Sequence, residues 1–444
     1  TTGGGALAAL AKQSGPNYEA VFSGKRLAGL WRLMTGYRLA YFGAVVSVGL
    51  AAMTKTATYL VLRYFIDNVL TESQVGRAIL YIVLSFIGLA LLQGGFTFVG
   101  GTLTARTSEG IVRQLRNFLY DHIQRLPFGY HDTTPTGDLI QRTTSDVNAV
   151  RRFYSEQAIG IGRVVLIFSI NLAAVIHLNA RLGLLSVVFL PIIVGASLVF
   201  FKKISTVYER FQQQEAKLST TLQENLMGVR VVKAFARQAY ERSKFEVDNY
   251  EKLHRGKHLV RMHAMFWPFS DVLCSLQMLL GLAVGAILTI NGSITVGTFV
   301  AYMGMLGWLI WPIRNLGRLI VNTSTGLVSF GRVGKVAREL REPLEAGDYV
   351  PDGPVRGEIR FDSVEFAYGE EVPVLRGITF ECEPGQAVAL LGATGSGKTS
   401  LVNLLPRFYE YTGGSITLDG VELKRYPRHV LRQNIGIVEQ EPFL

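Results

Sequence analysis

The sequence predicts an all-α membrane domain of six helices followed by a partial α/β domain. Three observations support this fold class. Apolar runs long enough to cross a bilayer occur six times before residue 330, only 18% of the residues are charged, and the apolar pattern changes from helical to alternating near Gly357. Globular chains usually contain about 25% charged residues. A mean hydropathy of +0.26 agrees with a membrane protein that carries a water-soluble domain.

A membrane-spanning helix needs about 20 predominantly apolar residues. Runs of this length predict spans at residues 39–65, 79–103, 157–178, 182–201, 266–290 and 294–313. The second, fourth and sixth runs contain no Asp, Glu, Lys or Arg, which a soluble helix with one wet face would rarely allow. The other three runs include the ionisable residues Lys55, Arg63, Arg163 and Asp271.

Ionisable residues inside a membrane are candidates for function. Candidates for the lining of a substrate cavity are Arg163, Asp271, Arg314, Arg318, Met303, Met305, Trp308 and Trp311. The alternatives are that Arg314 and Arg318 lie at the cytoplasmic end of an extended helix and that the Met and Trp residues serve only in packing.

The distribution of basic residues predicts the topology. Lys and Arg are frequent in the long connection between the fourth and fifth spans, whereas Asn291-Gly292-Ser293 between the fifth and sixth spans has no charge. By the positive-inside rule, the long connections and both termini are cytoplasmic. The net charge of +11 is then a consequence of topology, and nucleic-acid binding is a poor explanation for it. We expect a multi-pass protein of a bacterial inner membrane.

The segments outside the bilayer also have helical patterns. Residues 1–24 read as a flexible segment, and residues 25–34 mix basic and apolar residues as an amphipathic helix at the cytoplasmic interface does. The compositions of residues 106–126 and 208–260 predict that the spans continue as helices into the cytoplasm. Each excursion needs a turn at its tip, which we place near residues 126–133 and 228–235. The aromatic and β-branched residues of these tips favour burial against a partner.

The membrane domain is expected to cover residues 25–330, a linker residues 331–356, and the α/β domain residues 357–444. The run Ile359–Phe366 alternates as a strand does, and residues 374–380 do so less regularly. Ser415–Leu418 before Asp419-Gly420 reads as the edge of a hairpin. The apolar run at residues 387–391 is predicted to be a further strand.

A glycine-rich segment, Gly392–Thr399, follows that apolar run and precedes a helical pattern at residues 401–405. This is the pattern of a P-loop, in which backbone N–H groups and a helix N-terminus hold the phosphates of a nucleotide. Lys398 would place a positive charge on the β and γ phosphates, and the Thr399 hydroxyl would bind Mg²⁺. A glycine-rich connection without function is the weaker alternative, because all fixed positions of the motif are present. The sequence therefore predicts ATP and Mg²⁺ as cofactors.

From about residue 25 onward the chain resembles exporter-type half-transporters of the ATP-binding cassette family, which join one six-helix membrane domain to one nucleotide-binding domain. Gly392–Thr399 is similar to the Walker A motif, Phe366-Ala367-Tyr368 to the aromatic A-loop, and residues 438–441 to the start of the Q-loop. The resemblance assigns Gln440 to Mg²⁺, although Glu439 stands where the family usually has proline. It implies that these residues bind the nucleotide: Tyr368, Gly392, Thr394, Gly395, Ser396, Gly397, Lys398, Thr399 and Ser400.

The two cytoplasmic tips resemble the family's coupling segments. Their candidate coupling residues are Phe128, Tyr130, His131, Asp138, Val229, Val231 and Phe235. The family's Walker B motif, catalytic glutamate, signature loop and switch histidine follow the Q-loop. Too few residues lie between Gly357 and Leu444 to contain them, so we expect a nucleotide-binding domain truncated after the Q-loop, with no catalytic residue in this chain.

The resemblance implies ATP-driven export of an amphipathic small molecule or a lipid by alternating access. It also implies that a second half-transporter, identical or different, completes the assembly, and that membrane lipid surrounds it. The alternative is a membrane regulator, or a degenerate transporter subunit, that binds nucleotide without hydrolysing it.

Overall fold

The computed structural model describes residues 16–70, 75–369 and 373–438. The chain divides into two compact units. The first consists of residues up to Leu115 together with Ser145–Val333, and the second of Arg116–Thr144 together with residues from Gly334 onward. The first predicted coupling segment therefore belongs to the same unit as the α/β region.

Helices account for nearly all of the first unit and for part of the second. In chain order they are α1 (Tyr18–Phe22), α2 (Arg26–Leu33), α3 (Arg38–Tyr64), α4 (Val75–Gln124), α5 (Phe128–Thr133), α6 (Thr136–Gln141), α7 (Val147–Arg152), α8 (Ile159–Leu178), α9 (Ala180–Leu185), α10 (Leu190–Met227), α11 (Val229–Ala234), α12 (Gln238–Ile290), α13 (Val296–Arg314), α14 (Leu316–Ala337), α15 (Lys398–Leu404) and α16 (Arg428–Gln433).

Six helical segments among the described residues are long and apolar enough to cross a membrane. They run over Arg38–Val69, Gly76–Gln124, Thr136–Leu178, Ala180–Met227, Gln238–Ile290 and Val296–Ala337. Each of the first five contains one predicted span, and the sixth begins at Val296, two residues after the predicted start, so this part of the fold prediction is confirmed. The helices also continue well beyond the apolar runs, as the helix-forming composition of residues 106–126 and 208–260 predicts.

Polar side chains fix helix ends of the first unit. Asp67 accepts a hydrogen bond from the backbone N–H of Gly297 at 2.8 Å and one from the Thr295 hydroxyl at 2.6 Å, which satisfies the start of α13. Where α9 and α10 are separated, the Gln277 amide donates to the Leu185 carbonyl and accepts from the Phe189 N–H. These bonds stabilise interruptions of the helices that would otherwise leave backbone groups unpaired in an apolar interior.

The second unit contains an antiparallel sheet with strand order β2-β1-β3-β4. Its strands are β1 (Ile359–Phe366), β2 (Leu375–Cys382), β3 (Gly413–Leu418) and β4 (Val421–Glu422). Phe361, Val364 and Phe366 lie in the core, where Leu404 of α15 is also fully buried. A register shift between Phe361 and Val364, with Ser363 at φ 50°, interrupts the alternation and turns both side chains to this face. This sheet holds the end of β1 close to the start of α15.

The predicted hairpin is present at β3 and β4. Its two turn residues, Asp419 and Gly420, have φ values of 50° and 78°, as a tight hairpin turn requires. The Asp419 carboxylate accepts backbone N–H bonds from Arg356, Gly357 and Glu358 at 2.7, 3.0 and 2.9 Å. Burial alone would raise the pKa of this carboxyl, but the backbone donors outweigh burial and lower the pKa below its ordinary value.

Three predictions about secondary structure differ from the structure. Residues 387–391 are not a strand, because none of the described strands bonds to them, and Leu391 is 93% exposed. An apolar run becomes a strand only when a neighbouring strand supplies hydrogen bonds. The predicted linker begins as helix, since α14 continues to Ala337. The two tips predicted as turns near residues 126–133 and 228–235 are short helices, α5 and α11.

Candidate functional site

The glycine-rich loop before α15 has a backbone that only glycine adopts readily. Gly395 and Gly397 have φ values of +85° and +90°, in the left-handed region that a side chain disfavours. A Cβ on Gly397 would also lie 2.8 Å from Leu375 Cδ2, and one on Gly392 would lie 2.6 Å from Ser396 Oγ. The loop is thus closely folded on itself and leaves no room for side chains at these positions.

Lys398 lies at the centre of this loop. Its Nζ donates to the carbonyl oxygens of Gly392 and Ala393, each at 2.8 Å, and lies 3.3 Å from Ser396 Oγ. The backbone therefore curves around a cation that is half-buried, next to the exposed Thr394 and Thr399. A concave backbone with a central ammonium and a nearby hydroxyl is the donor set that a triphosphate and its Mg²⁺ need. The residues present fit ATP.

Tyr368 lies beside this loop, as the A-loop assignment requires. Its hydroxyl is 2.8 Å from the hydroxyl of Ser400, and its ring packs edge-on against Phe366 and Tyr409. The ring is 40% exposed, so it can still offer a face to a purine. Ser400 is buried, and its contact is with Tyr368. Ser400 therefore contacts Tyr368 directly through its hydroxyl.

Aromatic contacts connect this region to the first coupling segment. Phe128 at the start of α5 stacks on Phe408, with ring centroids 4.6 Å apart and planes within 5°. Tyr409 lies edge-on to Phe128 at 5.6 Å and edge-on to Tyr368 at 5.0 Å. Tyr368, Tyr409, Phe128 and Phe408 form a continuous series of contacts, which we call the aromatic series.

The other predicted residues of this segment make local contacts. His131 Nε2 lies 3.1 Å from the carbonyl oxygen of Ile123, where it supports the end of α4. Tyr130 packs edge-on to His131 at 6.0 Å. Asp138 pairs with Arg142 at 3.6 Å, one helical turn later. Of the candidate residues in this segment, Phe128 is the one placed against the aromatic residues that follow α15.

The second coupling segment presents an apolar surface. Val229, Val231 and Phe235 are 39%, 61% and 72% exposed. Gln440, assigned to Mg²⁺, lies outside the described residues.

Sequence reasoning did not identify Phe408 and Tyr409. They follow α15 in a turn without regular pattern, and neither spacing nor composition distinguishes them from core aromatics. The alternating pattern of β1, which includes the buried Phe366, leads on to Tyr368. It gives no information about Phe408 or Tyr409. Contact with Phe128 depends on the tertiary fold, which a single sequence does not reveal.

Two family models match this chain. The model described as the ABC transporter transmembrane region matches residues 41–313, and the model described as ABC transporter matches residues 375–444. The first covers the six membrane helices as far as α13. The second includes the glycine-rich loop and the aromatic residues that contact α5.

Several bacterial proteins are similar over most of the chain. An ABC transporter ATP-binding protein of Bacillus subtilis, YknU, which is itself uncharacterized, is 30% identical over 92% of this chain and 70% of its own length. An ATP-dependent lipid A-core flippase of Hahella chejuensis is 31% identical over 94% of this chain and 69% of its own length. A Bacillus subtilis protein provisionally named multidrug export ATP-binding/permease protein YgaD is 28% identical over 87% and 67%.

Proposed function

This chain belongs to the ABC transporter family, and we propose that it is one half of an ATP-driven exporter of an amphipathic small molecule or lipid. The observation that carries the proposal is the stacking of Phe128, in a segment between membrane helices, on Phe408, which follows the nucleotide loop. Such a contact can transmit a movement of the nucleotide-binding region to the membrane helices. Relatives named as a lipid flippase and a multidrug exporter support the two substrate classes.

The nucleotide would be held by residues of the second unit. Lys398 would exchange its bonds to the loop carbonyls for the β and γ phosphates, since an ammonium favours the stronger charge. Tyr368 would stack on the purine, with its hydroxyl held by Ser400. Thr399 and Gln440 would contact Mg²⁺. When bound, ATP supplies the phosphoryl-transfer chemistry, and this chain's part is to bind and orient it.

The membrane arrangement follows from the six apolar helices. The protein is an integral membrane protein. We propose that both termini, α5 and α11 are cytoplasmic and that the membrane is a bacterial inner membrane, in accord with the basic composition of the long connections.

A second half-transporter would complete the assembly. The exposed apolar residues of the second predicted coupling segment support this, because Val231 of α11 and Phe235, which follows it, offer a surface to a partner rather than to water. The family resemblance implies that this partner supplies the other side of each ATP site. The exposed apolar surface at Val231 and Phe235 is compatible with either an identical or a different second subunit.

The proposal is tested with Lys398→Ala in the assembled transporter, reconstituted into proteoliposomes with the partner's nucleotide site also disabled. We expect ATP-dependent movement of Hoechst 33342 and of a fluorescent phospholipid to disappear, while membrane insertion is unchanged. Lys335→Ala is the matched control, because this exposed lysine of α14 lies outside the loop. Movement of either probe by Lys398→Ala at the control rate would refute the proposal.

A further inference from the structure

A cavity of about 230 Å³ lies among the membrane helices of the first unit. Its wall is built by the first, second, third and sixth membrane segments, which contribute Lys55, Gln93, Arg163, Asn171 and Trp308. All five residues lie within the apolar runs themselves rather than in the helical extensions. A cavity of this size suits a polar head group better than a whole lipid.

Two cationic side chains face this cavity without an acidic partner. Among the described residues, no ion pair includes Lys55 or Arg163, although the other two charged residues of the six predicted apolar runs, Arg63 and Asp271, are paired. Arg63 pairs with Asp67 at 3.6 Å, and Arg314 pairs with Asp271. Within the apolar runs, the two cations without an ion pair among the described residues therefore both lie at this cavity.

The ammonium of Lys55 is positioned by aromatic rings. Its Nζ lies 5.3 Å from the ring centre of Trp308 and 5.6 Å from that of Tyr59. These contacts stabilise a cation but leave its N–H donors available, because a π face accepts no conventional hydrogen bond. A charged side chain costs several kcal/mol in the middle of a membrane unless it is paired or hydrated.

Asn171, one of the two side-chain amides of the wall, has partners in the protein. Asn171 donates to the Ile167 carbonyl at 2.9 Å and lies 3.2 Å from the Thr56 hydroxyl. Asn171 is buried, so its orientation is fixed. The side chains of the wall that can still bind a ligand are therefore mainly Lys55 and Arg163. Because both are cations, they select for negative charge.

We propose that this cavity binds the anionic head group, a carboxylate, sulfonate or phosphate, of an amphipathic substrate. Arg163 supplies a planar fork for two oxygen atoms, and Lys55 supplies a point charge. Trp308 and Ile167 contact the apolar part next to the head group. The term substrate rests on the proposed export function, whereas the preference for anions does not.

The test is equilibrium binding without ATP, so that it is independent of transport. Dansylglycine is compared with a dansyl probe of the same length that ends in trimethylammonium, using the assembled transporter in detergent and energy transfer from tryptophan. We expect the wild-type protein to bind the anionic probe about tenfold or more tightly than the cationic one, the effect of one charge-assisted hydrogen bond. Equal affinities would overturn the proposal.

Two double variants test whether the preference for the anionic probe arises at this cavity. Lys55→Gln/Arg163→Gln should bind the anionic probe at least about tenfold more weakly and the cationic probe no less tightly. Lys202→Gln/Arg318→Gln removes the same charge from exposed residues outside the cavity and should leave both affinities unchanged. An equal loss in both variants would mean a bulk charge effect, and no loss in the first would mean another site; either result overturns the proposal.

Two further results complete the test. Trp308→Phe should reduce the energy transfer, because Trp308 lines the cavity, and undiminished transfer would place the probe elsewhere. If the anionic preference is present while the transporter with intact Lys398 moves neither Hoechst 33342 nor the fluorescent phospholipid with ATP, the export function fails and the anion site stands. If ATP-dependent movement is present but the anionic preference is absent, the export function stands and this site is rejected.

Discussion

The ring of Tyr409 lies edge-on to the ring of Phe128, with centroids 5.6 Å apart and planes at 82°. The same tyrosine lies edge-on to Tyr368 at 5.0 Å. One side chain thus contacts both the residue expected to stack on the nucleotide and the first residue of α5. A change in the position of Tyr368 can reach α5 through packed rings alone, without a change in backbone conformation.

The first prediction concerns this contact. Tyr409→Leu removes the ring but keeps an apolar side chain, so we expect ATP-driven transport to fall about tenfold while ATP binding changes less than about twofold. Edge-on aromatic pairs contribute about 0.5–1.5 kcal/mol beyond burial, and Tyr409 makes two of the contacts in the aromatic series. Transport in proteoliposomes and binding of radiolabelled ATP are measured on the same preparation.

Tyr409→Phe is the control for this prediction, since it keeps the ring. A double-mutant cycle of Tyr409→Leu with Phe128→Ala tests whether the two residues act together. Additive effects on transport would mean that the contact seen in the structure carries no coupling between the nucleotide and the membrane helices.

The second prediction concerns Tyr368. Tyr368→Ala should weaken ATP binding about tenfold or more, because stacking on a base contributes about 1–3 kcal/mol. Tyr368→Phe keeps the stacking face and loses only the contact with Ser400, so we expect a loss of about threefold or less. Inorganic tripolyphosphate has no base, and its competition with ATP analogues reports the phosphate site alone. If Tyr368→Ala weakens the binding of tripolyphosphate as strongly as the binding of ATP, the tyrosine stabilises the loop instead of stacking on the base.

The sequence was sufficient for the six membrane segments and the glycine-rich loop because both depend on local patterns. An apolar run of about 20 residues has few alternatives to a membrane-spanning helix. The residue types of Gly392–Thr399 are required by the backbone geometry of the loop and by the charge it binds. The aromatic series was not predictable, since Phe128 and Tyr409 are far apart in the chain and meet only through the fold. The prediction of a strand at residues 387–391 was wrong, because composition does not show whether a neighbouring strand is present to form hydrogen bonds with it.

The third prediction concerns the shape of the loop. Gly397→Ala should destabilise the loop by about 1–2 kcal/mol, the cost of a left-handed conformation for a residue with a Cβ, and the close approach to Leu375 adds to this. We expect ATP affinity to fall at least tenfold and exchange of the amide hydrogens of α15 to accelerate. Gly369→Ala is a strain-matched control, because Gly369 also has a positive φ but has open space around it. Equal effects of the two substitutions on ATP affinity would contradict a role for the loop geometry.

The fourth prediction concerns the carboxylate of Asp419 and its pH dependence. Its pKa in the folded protein is lower than its ordinary value of 3.8. A lowered pKa means that the stabilisation is complete above the ordinary value and is lost as the pH falls through the folded-state value. Asp419→Asn isolates the charge, because asparagine tolerates the left-handed conformation at this position. At neutral pH we expect the amide hydrogens of Gly357 and Glu358 to exchange about tenfold faster in this variant, since bonds to a charged acceptor are worth about 1.5–3 kcal/mol.

This difference should be constant from neutral pH down to about 4 and should disappear at lower pH, where the wild-type carboxyl is also protonated. Exchange is measured by mass spectrometry on the full chain and corrected for the intrinsic pH dependence of amide exchange. Asp352→Ala, which removes an exposed carboxylate from the same connection, should leave these amides unchanged. A difference between Asp419→Asn and the wild-type protein that persists well below pH 3 would show that shape or packing, rather than the charge of Asp419, holds residues 356–358 to the hairpin.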